Sequence, residues 1–192
     1  MTEKLKTQAQ ILAILVLGMW TLQVVNGFSG NALIGFGIVP RQLVGLRGII
    51  FSPFLHGGFN HLLANTLPFV ILGWLVMVRR ISDFLKVSLV VMGVGGLGTW
   101  LFAGPNTVTI GASGLVFGYL GYLIFRGIFE QSFIAIAVSL GVGIVYGGML
   151  WGILPAQPHI SWQGHLFGFI GGGLAARWFS KPQAKSRYQG LD

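Results

Sequence analysis

The chain reads as an all-α polytopic membrane protein: a bundle of six transmembrane helices joined by a first loop that is itself partly embedded. Three observations lead there. Charged residues make up 8% of the chain and hydrophobic ones 54%, against about 25% charged in an average soluble domain, so a water-soluble globule could not cover its surface. Apolar stretches of near-spanning length recur along almost the whole sequence. The polar interruptions between them are short, apart from one glycine-rich segment near the N-terminus.

The first stretch runs from Thr7 to Val25 and follows Lys4 and Lys6. It has the charge pattern of a signal peptide, but no small-x-small cleavage site follows Val25, so it is read as a spanning helix. The segment from Asn26 to Leu55 is half apolar yet broken by eight glycines and prolines, from Gly27 to Pro53. It cannot cross as a helix and is expected to lie as an interfacial or re-entrant loop, its backbone satisfied by packing on the bundle. Five further spans follow: Gly58 to Val78, Phe84 to Ala103, Ile110 to Phe129, Ile134 to Leu154 and Ile160 to Phe179. Each is close to the length that covers ~30 Å of hydrocarbon. The basic end from Lys181 to Asp192 is expected to be a solvated tail on a single domain whose core covers about residues 7–180.

The net charge of +8 would direct a soluble chain toward nucleic acid, but no nucleic-acid module is visible, and the basic residues serve as topology signals. With the N-terminus in the cytoplasm, ten of the 12 Lys and Arg fall inside, and only Arg41 and Arg47 fall outside. Both termini are then cytoplasmic, the protein is an integral multi-pass one, and in a bacterium its home is the plasma membrane. Without cysteine there is no thiol nucleophile or thiolate metal site.

Polar residues at membrane depth raise the cost of insertion and mark sites of function. His61 and Asn65 lie four apart on one face of the second span, with His56 just before it. Ser113 sits in Gly111-Ala112-Ser113-Gly114 on the fourth, and His165 in Gly164-His165-Leu166-Phe167-Gly168 on the sixth. Singly, each has a modest reading: a glycine-flanked serine packs helices, and a membrane histidine or asparagine bonds a neighbour. His159, in an outer loop, is expected to be merely solvated. Yet all three spans begin at the outer face, and Ser113, His61, Asn65 and His165 share a layer ~5 to 10 Å deep at 1.5 Å per residue.

Small-residue stripes, Gly114-Gly118-Gly121 and Gly164-Gly168-Gly172, would let the fourth and sixth spans approach closely and bring His165 to Ser113. A histidine that accepts a serine proton is the minimum that activates this nucleophile. Ser113 near its helix N-terminus, with His61 and Asn65 as donors, could hold an oxyanion. The four acids (Glu3, Asp83, Glu130, Asp192) lie at the inner side or in the tails, so a Ser-His-Asp triad is excluded and a dyad remains. Phe117, one turn after Ser113, is a candidate for stacking on the His165 ring; on its own it reads rather as an ordinary core or lipid-facing aromatic.

These motifs, in this order on six spans, resemble the rhomboid intramembrane serine proteases over about Arg47 to Gly172. The resemblance implies cleavage of transmembrane substrates by Ser113 as nucleophile and His165 as general base and acid, with oxyanion donors from His61, Asn65 and the Ser113 N–H. It implies supporting places for His56, Gly111, Gly114, Phe117 and Gly168, a mobile cap near Pro155 to His159 and lateral substrate access beside the fifth span. Neither metal nor cofactor is expected. Rhomboids often carry Trp-Arg in the first loop, where this chain has Leu46-Arg47.

Three rivals compete. A catalytically inactive relative that only binds membrane proteins would lack the serine or the histidine, and both are present. A histidine-relay transporter needs titratable groups in the inner half of the spans, which lacks them. A zinc protease needs His-Glu-x-x-His, absent here.

Overall fold

The computed structural model describes residues 2–156 and 160–180. The first helix, α1 (Glu3–Phe28), is capped by the Thr2 hydroxyl, which accepts from the Leu5 N–H. The glycine-rich segment contains two 3-10 turns (Ala32–Phe36 and Leu43–Arg47), a single-turn α2 (Gly48–Phe51) and a third 3-10 turn (Ser52–Phe54). Then come α3 (Phe59–Met77), α4 (Ile81–Phe102), α5 (Ser113–Glu130), α6 (Phe133–Tyr146) with a 3-10 continuation (Gly147–Ile153), and α7 (Trp162–Phe179). No strand occurs among the described residues; a lone bridge pairs Ile38 with Thr109.

The chain thus has seven α-helices among the described residues rather than six, the additional one being the turn α2 inside the first loop. Four helical segments are long and apolar enough to cross a membrane: Glu3–Phe28, Phe59–Met77, Ile81–Phe102 and Phe133–Ile153. Several boundaries depart from the hydropathy reading: α1 is longer at both ends than Thr7 to Val25, and α4 starts at Ile81 instead of Phe84. Helix α5 starts at Ser113, not Ile110, because Gly111 has φ +112°, outside the helical region. The fifth stretch leaves the α form at Tyr146 and tightens into a 3-10 path. His159 and the tail from Lys181 lie outside the described residues, as does part of the expected cap.

Helix α5 is central, with α3, α4, α6 and α7 packed around it. Tyr119, Leu120, Tyr122 and Leu123 on it are fully buried, and the Tyr119 hydroxyl is matched by Ser88 Oγ of α4 at 2.8 Å. Contact between α5 and α7 is close because of glycine: a Cβ on Gly168 would collide with the Gly114 carbonyl, and one on Gly172 with the Gly118 carbonyl. The Cα of Gly118 itself faces Val91 of α4, so the α5 stripe serves two neighbours instead of one. At the far end of α5 from Ser113, Glu130 takes Arg126 at 2.8 Å and Arg79 at 3.2 Å, tying α5 to the α3–α4 turn.

The outer surface is strongly apolar. Phe28, Phe133 and Ile144 are 91%, 86% and 84% exposed, which in water would be a large aggregation-prone patch and against lipid is ordinary. Helix α6 is the least enclosed and packs chiefly on α5.

The first loop is fastened at several points. Ile38 and Thr109 exchange both backbone hydrogen bonds at 2.9 Å. Arg41 donates to the Leu101 and Ala103 carbonyls at 3.0 and 2.7 Å, satisfying the C-terminal end of α4. Arg47 donates to the Gly35 carbonyl at 2.9 Å and lies 4.4 Å from the Phe36 ring centroid, so it braces the loop internally.

Candidate active site

The site is built from the turn before α3 and the first two turns of that helix, the segment 104–112 with the start of α5, the start of α7 and the 3-10 path after α6. Ser113 is the first residue of α5, where the backbone N–H has no acceptor within the helix and points toward whatever lies before it. The turn that presents it is held from behind. The Gly111 N–H donates to the Ser52 carbonyl at 2.8 Å, and the Ala112 N–H donates to His56 Nε2 at 3.3 Å. Because Nε2 accepts, the ring hydrogen of His56 belongs on Nδ1. His56 is buried before α3; burial, and then the neighbouring His61, push its pKa down to about 4, so it stays neutral while it holds the turn.

His61 and Asn65 stand one turn apart on α3 and face the same turn. A Cβ on Gly111 would lie 2.7 Å from His61 Nε2 and 3.8 Å from Asn65 Nδ2. Gly111 therefore serves twice, by its positive φ and by leaving room for the imidazole edge. Asn65 Nδ2 donates one hydrogen to the His61 carbonyl at 2.9 Å, with a second hydrogen left over. The hydrogen bond that reaches His61 Nδ1, from the Gly57 N–H, is long at 3.5 Å and leaves the ring hydrogen on Nε2.

His165 is buried in the first turn of α7, whose N-cap Ser161 accepts from the Gly164 N–H. Its ring is stacked on Phe117 with centroids 4.1 Å apart and planes 8° from parallel. His165 Nδ1 is 2.9 Å from the carbonyl oxygen of Gly152. A carbonyl can only accept, so Nδ1 carries the hydrogen and Nε2 keeps a lone pair. In this state the imidazole can accept a proton at Nε2, and a backbone carbonyl holds the other ring nitrogen.

Ser113, His61, Asn65 and His165 all line one open cavity of ≈ 790 Å³, beside Trp162 and Gln163. Gly114 and Gly168 belong to the contact that lets the serine-bearing and histidine-bearing helices meet at this level. Among the described residues no group of three or more His, Asp or Glu is placed to hold a metal ion.

The Rhomboid domain family model matches residues 43–182, most of the chain and all of these site residues. The chain belongs to the rhomboid family. An uncharacterized protein of Mycobacterium tuberculosis is 40% identical over 178 residues, covering 88% of this chain and 74% of that one. Rhomboid protease GluP of Bacillus subtilis is 30% identical over 184 residues, which cover 86% of this chain but 33% of that protein. The putative rhomboid protease YdcA of the same bacterium is 29% identical, with 69% of this chain and 66% of that one aligned. Family membership and the apolar helices together make the chain an integral membrane protein.

Sequence reasoning missed two contributors to this rhomboid site. Gly152 acts through its carbonyl oxygen, which leaves no side-chain signature. Arg41, read only as a charge on the outer side, closes the end of α4 from which the 104–112 segment departs.

Proposed function

We propose that this chain is an intramembrane serine endopeptidase with a Ser113–His165 dyad. The observation that carries the reading is the state of His165: stacked on Phe117, with Nδ1–H committed to the Gly152 carbonyl and so a lone pair on Nε2, in the cavity that Ser113 also lines. In the first step Ser113 Oγ adds to the substrate carbonyl as His165 Nε2 takes the hydroxyl proton. The oxyanion accepts from the Ser113 N–H, His61 Nε2–H and Asn65 Nδ2–H. Collapse breaks the C–N bond, and His165 returns its proton to the leaving amine. Water then attacks the acyl ester by the same route, giving the carboxylate product and free Ser113.

In this reading α1, α3, α4, α5, α6 with its 3-10 continuation, and α7 are six spans of one domain, with both termini in the cytoplasm. Ser113 opens α5 at the outer side, so substrates are cut near their outer end. A peptide bond inside a membrane helix is already hydrogen-bonded and screened by side chains, so it must unwind to reach Ser113. Single-span proteins with small residues at the cut and Gly or Pro nearby fit this requirement, and access beside the loosely enclosed α6 suits a segment arriving from the bilayer. No cofactor takes part.

Labelling of the purified protein with a fluorophosphonate probe tests the reading. Wild type is expected to be labelled, and Ser113→Ala and His165→Ala to be unlabelled. Folded wild type that resists the probe would contradict catalysis and favour a relative that only binds membrane proteins.

A further inference from the structure

Ser113 and His165 come from segments 52 residues apart, and the proposed chemistry requires their atoms to keep a fixed separation. Glycine packing and the Phe117–His165 stack bring α5 and α7 together, and their register along the axis decides where Ser113 stands against His165. A directional contact at the level of the dyad would fix that register.

Such a contact is present. Thr109 Oγ1 lies 3.1 Å from Ser161 Oγ. Thr109 precedes Ser113 by four residues, and Ser161 precedes His165 by four. Each hydroxyl thus belongs to the segment that feeds a helix whose first turn carries a reacting residue. Both ends are anchored independently of this bond. Thr109 exchanges two backbone hydrogen bonds with Ile38 of the first loop, and Ser161 caps α7 through the Gly164 N–H at 3.4 Å and, by its carbonyl, the His165 N–H at 3.2 Å. Thr109, Ser113 and Ser161 line both the large cavity and a smaller one of ≈ 40 Å³, so the hydroxyl pair borders both. Gly164 leaves the space: a Cβ there would lie 3.3 Å from Ser161 Oγ and 3.7 Å from Thr109 Cγ2.

We infer that Thr109 and Ser161 are positioning residues, their hydroxyl–hydroxyl bond tying the entrance of α5 to the entrance of α7 and so setting the register of Ser113 against His165. The inference rests on the dyad reading. A hydrogen bond of ordinary strength, ~1 kcal/mol, held in this position translates into roughly five- to tenfold in the rate of serine attack.

The test is the rate of inactivation of full-length protein by a fluorophosphonate probe, taken over a range of probe concentrations and normalised to the enzyme finally labelled, so that unfolded molecules do not count. Thr109→Val, which keeps the shape and removes the hydroxyl, is expected to lower the limiting rate about five- to tenfold with half-saturation unchanged within about twofold. Thr109→Ser is expected to restore it. In a Ser161→Ala background, Thr109→Val should change the rate less than about twofold, since the partner is already gone. A wild-type limiting rate in Thr109→Val, failure of Thr109→Ser to restore the rate, or an undiminished Thr109→Val effect beside Ser161→Ala each overturns the tie. Ser113→Ala separates the two levels: if wild type and Ser113→Ala label alike, the dyad itself is wrong and the tie with it.

Discussion

Replacing Gly152 by Ala should impair the base without touching it chemically. Gly152 does not have a positive φ, so alanine fits its backbone and the effect is steric. The new Cβ would lie 2.9 Å from Phe117 Cζ and 3.3 Å from His165 Nδ1, whereas carbon atoms rest at about 3.5 Å or more. The 3-10 path must therefore retreat by roughly half an ångström, since Phe117 and His165 are stacked and cannot yield on the other side. That retreat takes the 2.9 Å contact between Nδ1 and the Gly152 carbonyl to about 3.4 Å, beyond the usual hydrogen-bond range. Losing ~1 to 2 kcal/mol of preference for the Nδ1–H tautomer means roughly a five- to thirtyfold lower kcat. The assay is cleavage of a single-span substrate in proteoliposomes, with kcat per labelled active site and thermal unfolding measured alongside. A second readout is the ¹⁵N chemical shift of the His165 ring nitrogens, which reports the tautomer. A wild-type kcat and unchanged ring shifts in Gly152→Ala would refute the assignment of this carbonyl as the orienting group.

Other consequences follow from the same geometry. Asn65→Ala should lower kcat by ~10 to 1,000-fold without abolishing cleavage, because His61 and the Ser113 N–H remain as donors; full kcat would make Asn65 a packing residue. Activity should rise as the pH goes from acid to neutral, because His165 must be neutral to accept from Ser113; a profile highest at pH 4 in folded enzyme would contradict a histidine base. His56 titrates near 4 in the fold and near the ordinary 6.5 when unfolded, so its contribution to stability is complete above 6.5 and is lost as pH falls toward 4; His56→Gln should flatten that part of the stability profile. Gly168→Ala should cost ~1 to 3 kcal/mol of stability by pushing α7 off the Gly114 carbonyl, read as a lower Tm in detergent; an unchanged Tm would mean that this contact is not tight.

The polar members of the site are legible in the sequence because each violates its surroundings. Ser113, His165, His61 and Asn65 are dear to bury in apolar helices, and their spacing puts them on few elements. Glycine stripes are visible for the same reason, though Gly118 shows the limit: a small residue announces a close neighbour without saying which helix it is. What could not be read is whatever acts through the backbone or only after assembly. Gly152 contributes an oxygen common to every residue, and Thr109 and Ser161 are unremarkable hydroxyls until the fold sets them 3.1 Å apart. Hydropathy also misplaces the start of α5, because it counts Ile110 as apolar and cannot see the φ of Gly111. Inside the first loop, glycine and proline mark the breaks, but the short helical turns between them depend on contacts with Thr109 and the end of α4.

The most direct test of a Ser113–His165 protease is product analysis by mass spectrometry after incubating a single-span substrate with the enzyme in liposomes. Wild type is expected to cut at one peptide bond near the outer end of the substrate helix. Ser113→Ala, His165→Ala and the double variant should all fall to the same background, since a nucleophile and its base fail as a unit. Substantial cleavage by purified Ser113→Ala at that bond, free of contaminating protease, would contradict the account.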